Sequence, residues 1–322
     1  MPASFPGPAR RDVLRGAVAA AAGAVLLNNV PAARALSTGV AAGISTGATA
    51  GIPVGVTLNT SLFPRGTTMK EALNEWHLAT GCRPQATKVY FQHRQFPRNA
   101  DNDKIAACIA TGMTAVLCFM PGYGPFRTED AKALEESLAI FKKAGLKKAC
   151  VVLWTEQEGK HFRPRLSAAE FIAGSKFYAS AARSAGWPVY WNTMGKQSYW
   201  AEWCPGHAVD GYAIDDYASR GNWRDVWAKG GIARMADRDG KPFGWFEMGI
   251  AAGHSKRPSD ATIKRYLDES AAYLASRTPG TTGPVMWWAG NERNALIPSA
   301  RFPANAWIAR QSYRSMYRVL VG

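Results

Sequence analysis

The chain has 322 residues, 47% of them hydrophobic, and a formal net charge of +15. That is enough apolar chain to bury a large core without covalent staples. Five cysteines with no C-x-x-C pair, and five histidines with no ligand-like spacing, argue against a zinc site, while scattered Lys and Arg with no recognisable motif argue against a nucleic-acid-binding module.

Arg10-Arg11-Asp12-Val13-Leu14-Arg15 opens a basic segment, followed by an alanine-rich apolar stretch over 17–27 and by Ala33-Arg34-Ala35. Charge, apolar core and small-residue cleavage site stand in the order of a twin-arginine export signal over 1–35. The apolar stretch is too short for a stable membrane anchor. Residues 36–50 are mostly Ser, Thr, Gly and Ala and read as a flexible leader. Residues 51–322 suit one large domain.

Within that domain, strand-like and helix-like segments alternate. The spacing predicts strands over 52–58, 88–92, 114–120, 149–154, 188–193, 209–214, 243–246 and 284–288. Helices are predicted over 68–80, 102–111, 128–143, 167–184, 223–236, 259–276 and 307–320. Gly112, Gly145 and Gly186 serve as stops, Thr128-Glu129-Asp130 as a cap, and Ser167 with Glu170 as a capping box. Eight strands separated by helices predict a (β/α)8 barrel. A doubly wound open sheet would place a Gly-rich phosphate turn after its first strand, and here that strand ends Thr57-Leu58-Asn59-Thr60. The cysteines read as small buried apolar residues, with one disulfide left open.

In such a barrel the chemistry sits at the C-terminal ends of the strands. Those ends carry Tyr90, Phe91, Gln92 and His93; Trp154, Thr155 and Glu156; Trp191 and Asn192; Asp215, Asp216 and Tyr217; Phe246 and Glu247; and Trp287 and Trp288, followed by Asn291 and Glu292. Aromatic faces beside amides and carboxylates suit a sugar ring, which offers apolar faces and hydroxyls. Candidate binding residues are therefore Gln92, Trp154, Glu158, Trp191, Asn192, Asp215, Tyr217, Trp287 and Trp288. Asp215 and Asp216 are equally readable as caps of the following segment, and Tyr217 as an orienter of Glu247 or as core. Trp200 and Trp203 are readable as outer sugar subsites or as barrel cover.

A glutamate after strand four, another after strand seven and tryptophan at strand eight resemble the clan of retaining (β/α)8 glycoside hydrolases that includes endo-mannanases, cellulases and xylanases. The resemblance covers roughly 52–320 and rests on placement. It implies that Glu156 is the acid/base and Glu247 the nucleophile, and that Trp287 or Trp288 floors the sugar subsite. Glu158 is a second candidate acid, and Glu156 is preferred because it follows the strand directly. Most of the clan has Asn before the acid/base and some mannanase-like members have His; this chain has Thr155.

The expected activity is hydrolysis of a polysaccharide or oligosaccharide by double displacement, with no metal or organic cofactor. The alternative is a carbohydrate-binding barrel that does not cleave. A metal-dependent deacetylase or phosphodiesterase is disfavoured by the shortage of histidines. The basic surface suits an anionic substrate or cell wall, or is simply a soluble basic surface. The protein is expected to act outside the cytoplasm as a monomer.

Overall fold

The computed structural model describes residues 51–123, 125–155, 166–194, 197–251, 256–278, 280–289, 294, 296 and 305–322. Eight parallel strands form one sheet: β1 (Val54–Leu58), β2 (Ala86–His93), β3 (Thr114–Met120), β4 (Ala149–Leu153), β5 (Val189–Met194), β6 (Gly211–Tyr217), β7 (Phe243–Gly249) and β8 (Thr282–Ala289). The strands are hydrogen-bonded in the order β1-β8-β7-β6-β5-β4-β3-β2. The seam between β1 and β2 is closed by Gln85 N, which donates to Val54 O at 2.8 Å. Gly55 permits that approach, because a Cβ there would lie 2.0 Å from Ala86 O. The arrangement is the predicted (β/α)8 barrel.

The eight α-helices among the described residues are α1 (Met69–Thr80), α2 (Asp103–Thr111), α3 (Thr128–Lys143), α4 (Ala168–Arg183), α5 (Gln197–Trp203), α6 (Ile232–Arg238), α7 (Asp260–Ala275) and α8 (Asn305–Val321). The capping box at α4 forms: the Ser167 hydroxyl accepts from Glu170 N, and the Glu170 carboxylate accepts from Ser167 N. Thr68 and Glu71 make the same reciprocal pair at α1. The expected cap of α3 does not form. Arg127 takes the cap position without a side-chain bond, and Asp130 turns to Arg94 at 3.2 Å.

Three expectations need correction. The helix predicted over 223–236 is a 3-10 turn, Trp223–Val226, followed by α6; Gly230 has φ 82° and breaks the run. The short helix α5 was not anticipated. Strands six and seven run three residues further than their apolar runs, so Asp215, Asp216, Tyr217 and Glu247 lie inside strands rather than beyond them.

Two cores result. A small inner one fills the barrel with Ala86, Val116, Cys118, Cys150, Val152, Tyr190, Ala213, Phe246 and Met286. The larger one lies between strands and helices. Alternation along each strand decides which core a side chain joins. All five cysteines are free, and four are buried. Among the described residues no helix is long and apolar enough to cross a membrane.

Candidate active site

The site begins with alternation on β2. Ala86 joins the inner core, so Lys88 and Tyr90 also face inward. Lys88 is 0% exposed. Its Nζ donates to Glu247 Oε1 at 2.9 Å, to Asp215 Oδ2 at 3.0 Å and to Thr155 Oγ1 at 3.4 Å. All three of its donors are therefore used.

Glu247 reaches this lysine through an irregularity in β7. Ile214 pairs with Trp245, but Asp215 pairs with Glu247, so Phe246 is one extra residue on β7. The bulge lets two successive side chains serve the interior. The Phe246 ring packs on Tyr190 at 5.1 Å, and Glu247 enters the mouth at 6% exposure. Tyr217 donates its hydroxyl to Glu247 Oε2 at 2.5 Å, and Tyr90 donates to Oε1. Gly249 makes room for the Tyr217 ring, since a Cβ there would stand 2.7 Å from it. Both carboxylate oxygens of Glu247 are thus fixed by groups from two other strands.

Thr155 links the remaining polar residues. Its hydroxyl lies 3.2 Å from Asn192 Oδ1 and 3.4 Å from Asp215 Oδ2. Asn192 and Asp215 are both 0% exposed. The structure therefore brings together Asn192, Asp215, Tyr217 and Glu247, with Tyr90, which the sequence offers only as a strand-end aromatic, and Lys88, which it offers only as the first residue of a strand. No cation stands near Glu247 in sequence; the one it uses comes from 159 positions away.

The charges influence one another strongly. Burial alone lowers the pKa of Lys88, but the Asp215 and Glu247 carboxylates outweigh it and hold the ammonium above the ordinary lysine value. Burial, then the neighbouring Glu247 charge, push Asp215 up, and Lys88 opposes them. Tyr90 is 38% exposed at the rim while its hydroxyl turns inward; desolvation there, then Glu247, raise its pKa and keep it a neutral donor.

Three tryptophans expected at the sugar site lie elsewhere. Trp154 adopts φ 52°, which reverses the alternation of β4 and carries its indole outward. There it packs on Phe171 and Tyr178 of α4, and its Nε1 donates to Pro121 O at 2.9 Å. Trp191 follows the inward Tyr190 and so faces outward, edge-on to Tyr212 at 5.4 Å. Trp287 follows the inward Met286 and packs against Tyr313 of α8. All three are core residues, at most 1% exposed. Trp288, by contrast, is partly exposed and meets the Tyr217 ring edge-on at 5.8 Å.

The rim carries further groups. Gln92 is exposed at the end of β2, and its backbone N–H donates to Gln95 Oε1. His93 stacks on Tyr123 at 4.8 Å. Asn294 ties the segment after β7 to that after β8: its Oδ1 accepts from Ile250 N and Ala251 N, and its carbonyl accepts from Trp287 Nε1. Neither Asp215 nor Asp216 caps a helix. Asp216 faces outward and is buried, with Arg220 at 3.7 Å. Trp200 and Trp203 belong to α5 and are both buried, and Trp200 Nε1 donates to Met194 O. Glu156, Glu158, His161, Asn291 and Glu292 lie outside the described residues, as do the signal and leader expected over 1–50. Among the described residues no group of three or more His, Cys, Asp or Glu is arranged to hold a metal ion.

No family model matches the chain, and no curated protein matches it in sequence. Solved structures resemble it in fold. The catalytic domain of the Bacillus sp. JAMB-750 GH26 endo-β-1,4-mannanase aligns with a TM-score of 0.55 at 14% identity, over 84% of this chain and 87% of that one. A double mutant of the Cellulomonas fimi endo-β-1,4-mannanase aligns at 0.59 and 16%, over 83% and 70%. The GH128 endo-β-1,3-glucanase of Amycolatopsis mediterranei, in complex with laminaritriose, aligns at 0.51 and 12%, over 83% and 100%. At such identities the likeness is one of architecture, and it agrees with the strand order: the chain folds as a single (β/α)8 barrel.

Proposed function

We propose that this protein is a retaining glycoside hydrolase acting on a polysaccharide or oligosaccharide, with Glu247 as nucleophile. One observation carries the reading: a nearly sealed carboxylate inside β7 has both oxygens aimed by hydroxyls, Tyr90 on one and Tyr217 on the other, at the C-terminal mouth of the barrel. Structural neighbours described as endo-β-1,4-mannanases and an endo-β-1,3-glucanase support a carbohydrate substrate for such a mouth. Trp288 beside Tyr217 offers an apolar face for a sugar ring.

In this mechanism Glu247 attacks the anomeric carbon while Glu156, placed by the sequence just past β4, protonates the leaving oxygen. Glu156 then draws a proton from water, which releases the glycosyl-enzyme with net retention. The chain's own groups supply the nucleophile and the proton. Export by the twin-arginine signal, action as a monomer outside the cytoplasm and a preference for anionic polymers belong to the same proposal and rest on the sequence.

The test is a polysaccharide panel containing β-mannan, β-1,3-glucan and uronate polymers, run with wild type and Glu247→Ala. Cleavage by wild type and none by the variant is the expected result. Equal cleavage by both refutes the assignment. Binding without cleavage across the panel favours the non-catalytic carbohydrate-binding barrel, the reading that Thr155 in place of Asn or His brings forward.

A further inference from the structure

Three ionisable side chains, Lys88, Asp215 and Glu247, meet at the floor of the C-terminal mouth, and a nucleophile needs only one of them. Lys88 and Asp215 are both fully buried, and each would be costly to keep charged alone. Lys88 with Glu247 alone would be a neutral pair, its cation fully committed to the attacking carboxylate. Asp215 with Glu247 alone would set two carboxylates against each other, and one would take up a proton. Together the three sum to one negative charge. Exposure separates the two acids: Glu247 is 6% exposed beside the rim residue Tyr90, whereas Asp215 is sealed at 0%.

We infer that Lys88 is a positioning residue whose one ammonium is shared by Asp215 and Glu247, so that the floor carries a single net negative charge on Glu247, and that Asp215 serves to hold Lys88 rather than to meet the substrate. The inference deepens the glycosidase reading and rests on it for the meaning of that charge: the negative charge left over by the shared ammonium faces the positive charge that develops at the anomeric carbon.

The other groups around Glu247 fit this balance. Tyr90 from β2 and Tyr217 from β6 donate hydroxyls to it. Cys118 of β3 is buried, which pushes its thiol up to about 12 and leaves it neutral. Lys104 of α2 is a further cation; its Nζ donates to the Lys88 carbonyl at 3.4 Å rather than to either carboxylate, and burial lowers its pKa. Thr155 bridges Lys88, Asp215 and Asn192 without adding charge.

The test uses full-length protein with 13C-labelled carboxyl groups, in which the Glu247 signal is identified by its loss in Glu247→Gln. Wild type, Lys88→Met, Asp215→Asn and the double variant Lys88→Met/Asp215→Asn are titrated. Lys88→Met should raise the Glu247 midpoint by about one pH unit or more, as expected when two carboxylates lose their shared cation. The double variant should bring it back toward wild type, and Asp215→Asn alone should lower it. With a substrate in hand, the acid limb of kcat/KM should move in the same three directions. An unmoved midpoint in Lys88→Met, or a double variant no nearer to wild type than the single, overturns the inference. If Lys88→Met does not fold, the double variant decides by itself: the inference requires it to fold and to titrate Glu247 close to wild type, and a double variant that also fails to fold overturns it. Absence of glycosidase activity in wild type removes the functional reading only, because the titration still decides whether Lys88 and Asp215 set the charge on Glu247.

Discussion

Lys88 on β2 and Glu247 on β7 stand 159 positions apart in the chain and 2.9 Å apart across the barrel. Neither position explains the other locally. Alternation turns Lys88 inward, a one-residue bulge turns Glu247 inward, and the closed sheet brings the two together. The candidate active site is thus a product of barrel closure and of one irregular register.

The hydroxyl of Tyr217 lies 2.5 Å from Glu247 Oε2, so it should both orient and stabilise the carboxylate. Tyr217→Phe removes only that donor. A hydrogen bond to a charged group is worth about 1.5–3 kcal/mol, so kcat/KM should fall roughly tenfold to a hundredfold with little change in melting temperature. Steady-state kinetics beside a thermal melt check this; unchanged kinetics would remove Tyr217 from the site.

Trp287 and Trp288 are adjacent and should behave oppositely. Trp287 is buried against Tyr313 with its Nε1 on Asn294 O, so Trp287→Ala should cost about 3–5 kcal/mol of stability. Trp288 is partly exposed beside Tyr217, so Trp288→Ala should raise KM and leave stability nearly unchanged. Urea unfolding and kinetics on both variants separate the two roles. The reverse pattern would mean that the inner and outer faces of β8 are exchanged.

Much of this was legible in the chain itself. The eight strands and most helices follow from apolar runs and from capping signals such as Ser167 with Glu170. Glu247 is legible because F-G-W-F-E-M-G places one acid in an otherwise apolar strand. The three misplaced tryptophans share a physical cause: an apolar run does not reveal its own parity. Trp191 and Trp287 fall on the outer face by alternation, and Trp154 by a backbone at φ 52°. The cation was hidden for another reason. Lys88 lies at the start of its predicted strand, where a lysine reads as solvent-exposed, and only strand pairing across the barrel supplies its two carboxylates.

Asp216 offers a pH test that is independent of catalysis. Burial pushes its carboxyl up to about 7, against the opposing pull of Arg220. In the unfolded chain an aspartate titrates near 3.9, so between about pH 4 and pH 7 the folded state retains a proton that the unfolded state has released. The contribution of Asp216 to stability is therefore fully present below that window and is lost as pH rises through it. Asp216→Asn should match wild type near pH 4 and exceed it near pH 8, by at most about 4 kcal/mol. Arg220 keeps a partner in the variant, because its Nη1 also donates to the Asp215 carbonyl at 3.1 Å. Urea unfolding at the two pH values measures the difference; equal stabilities at pH 8 would contradict the buried, protonating carboxyl.

The acid/base residue is assigned by a rescue experiment. On a substrate with a good leaving group, Glu156→Ala should form the glycosyl-enzyme and then stall for want of a base. Azide needs no base and should restart turnover, giving a glycosyl azide whose configuration is opposite to that of the intermediate. Rescue in Glu158→Ala and not in Glu156→Ala would move the role two residues along the chain.

The most direct measurement is covalent trapping. A fluorosugar glycoside with a good leaving group, matched to the sugar that the panel identifies, should load the enzyme and leave slowly enough for peptide mapping by mass spectrometry. We expect one glycosyl group on the peptide that contains Glu247, localised to that residue, and none in Glu247→Gln. A label on any other residue, or an enzyme that turns over its natural substrate with inversion and never accumulates a label, would contradict the account.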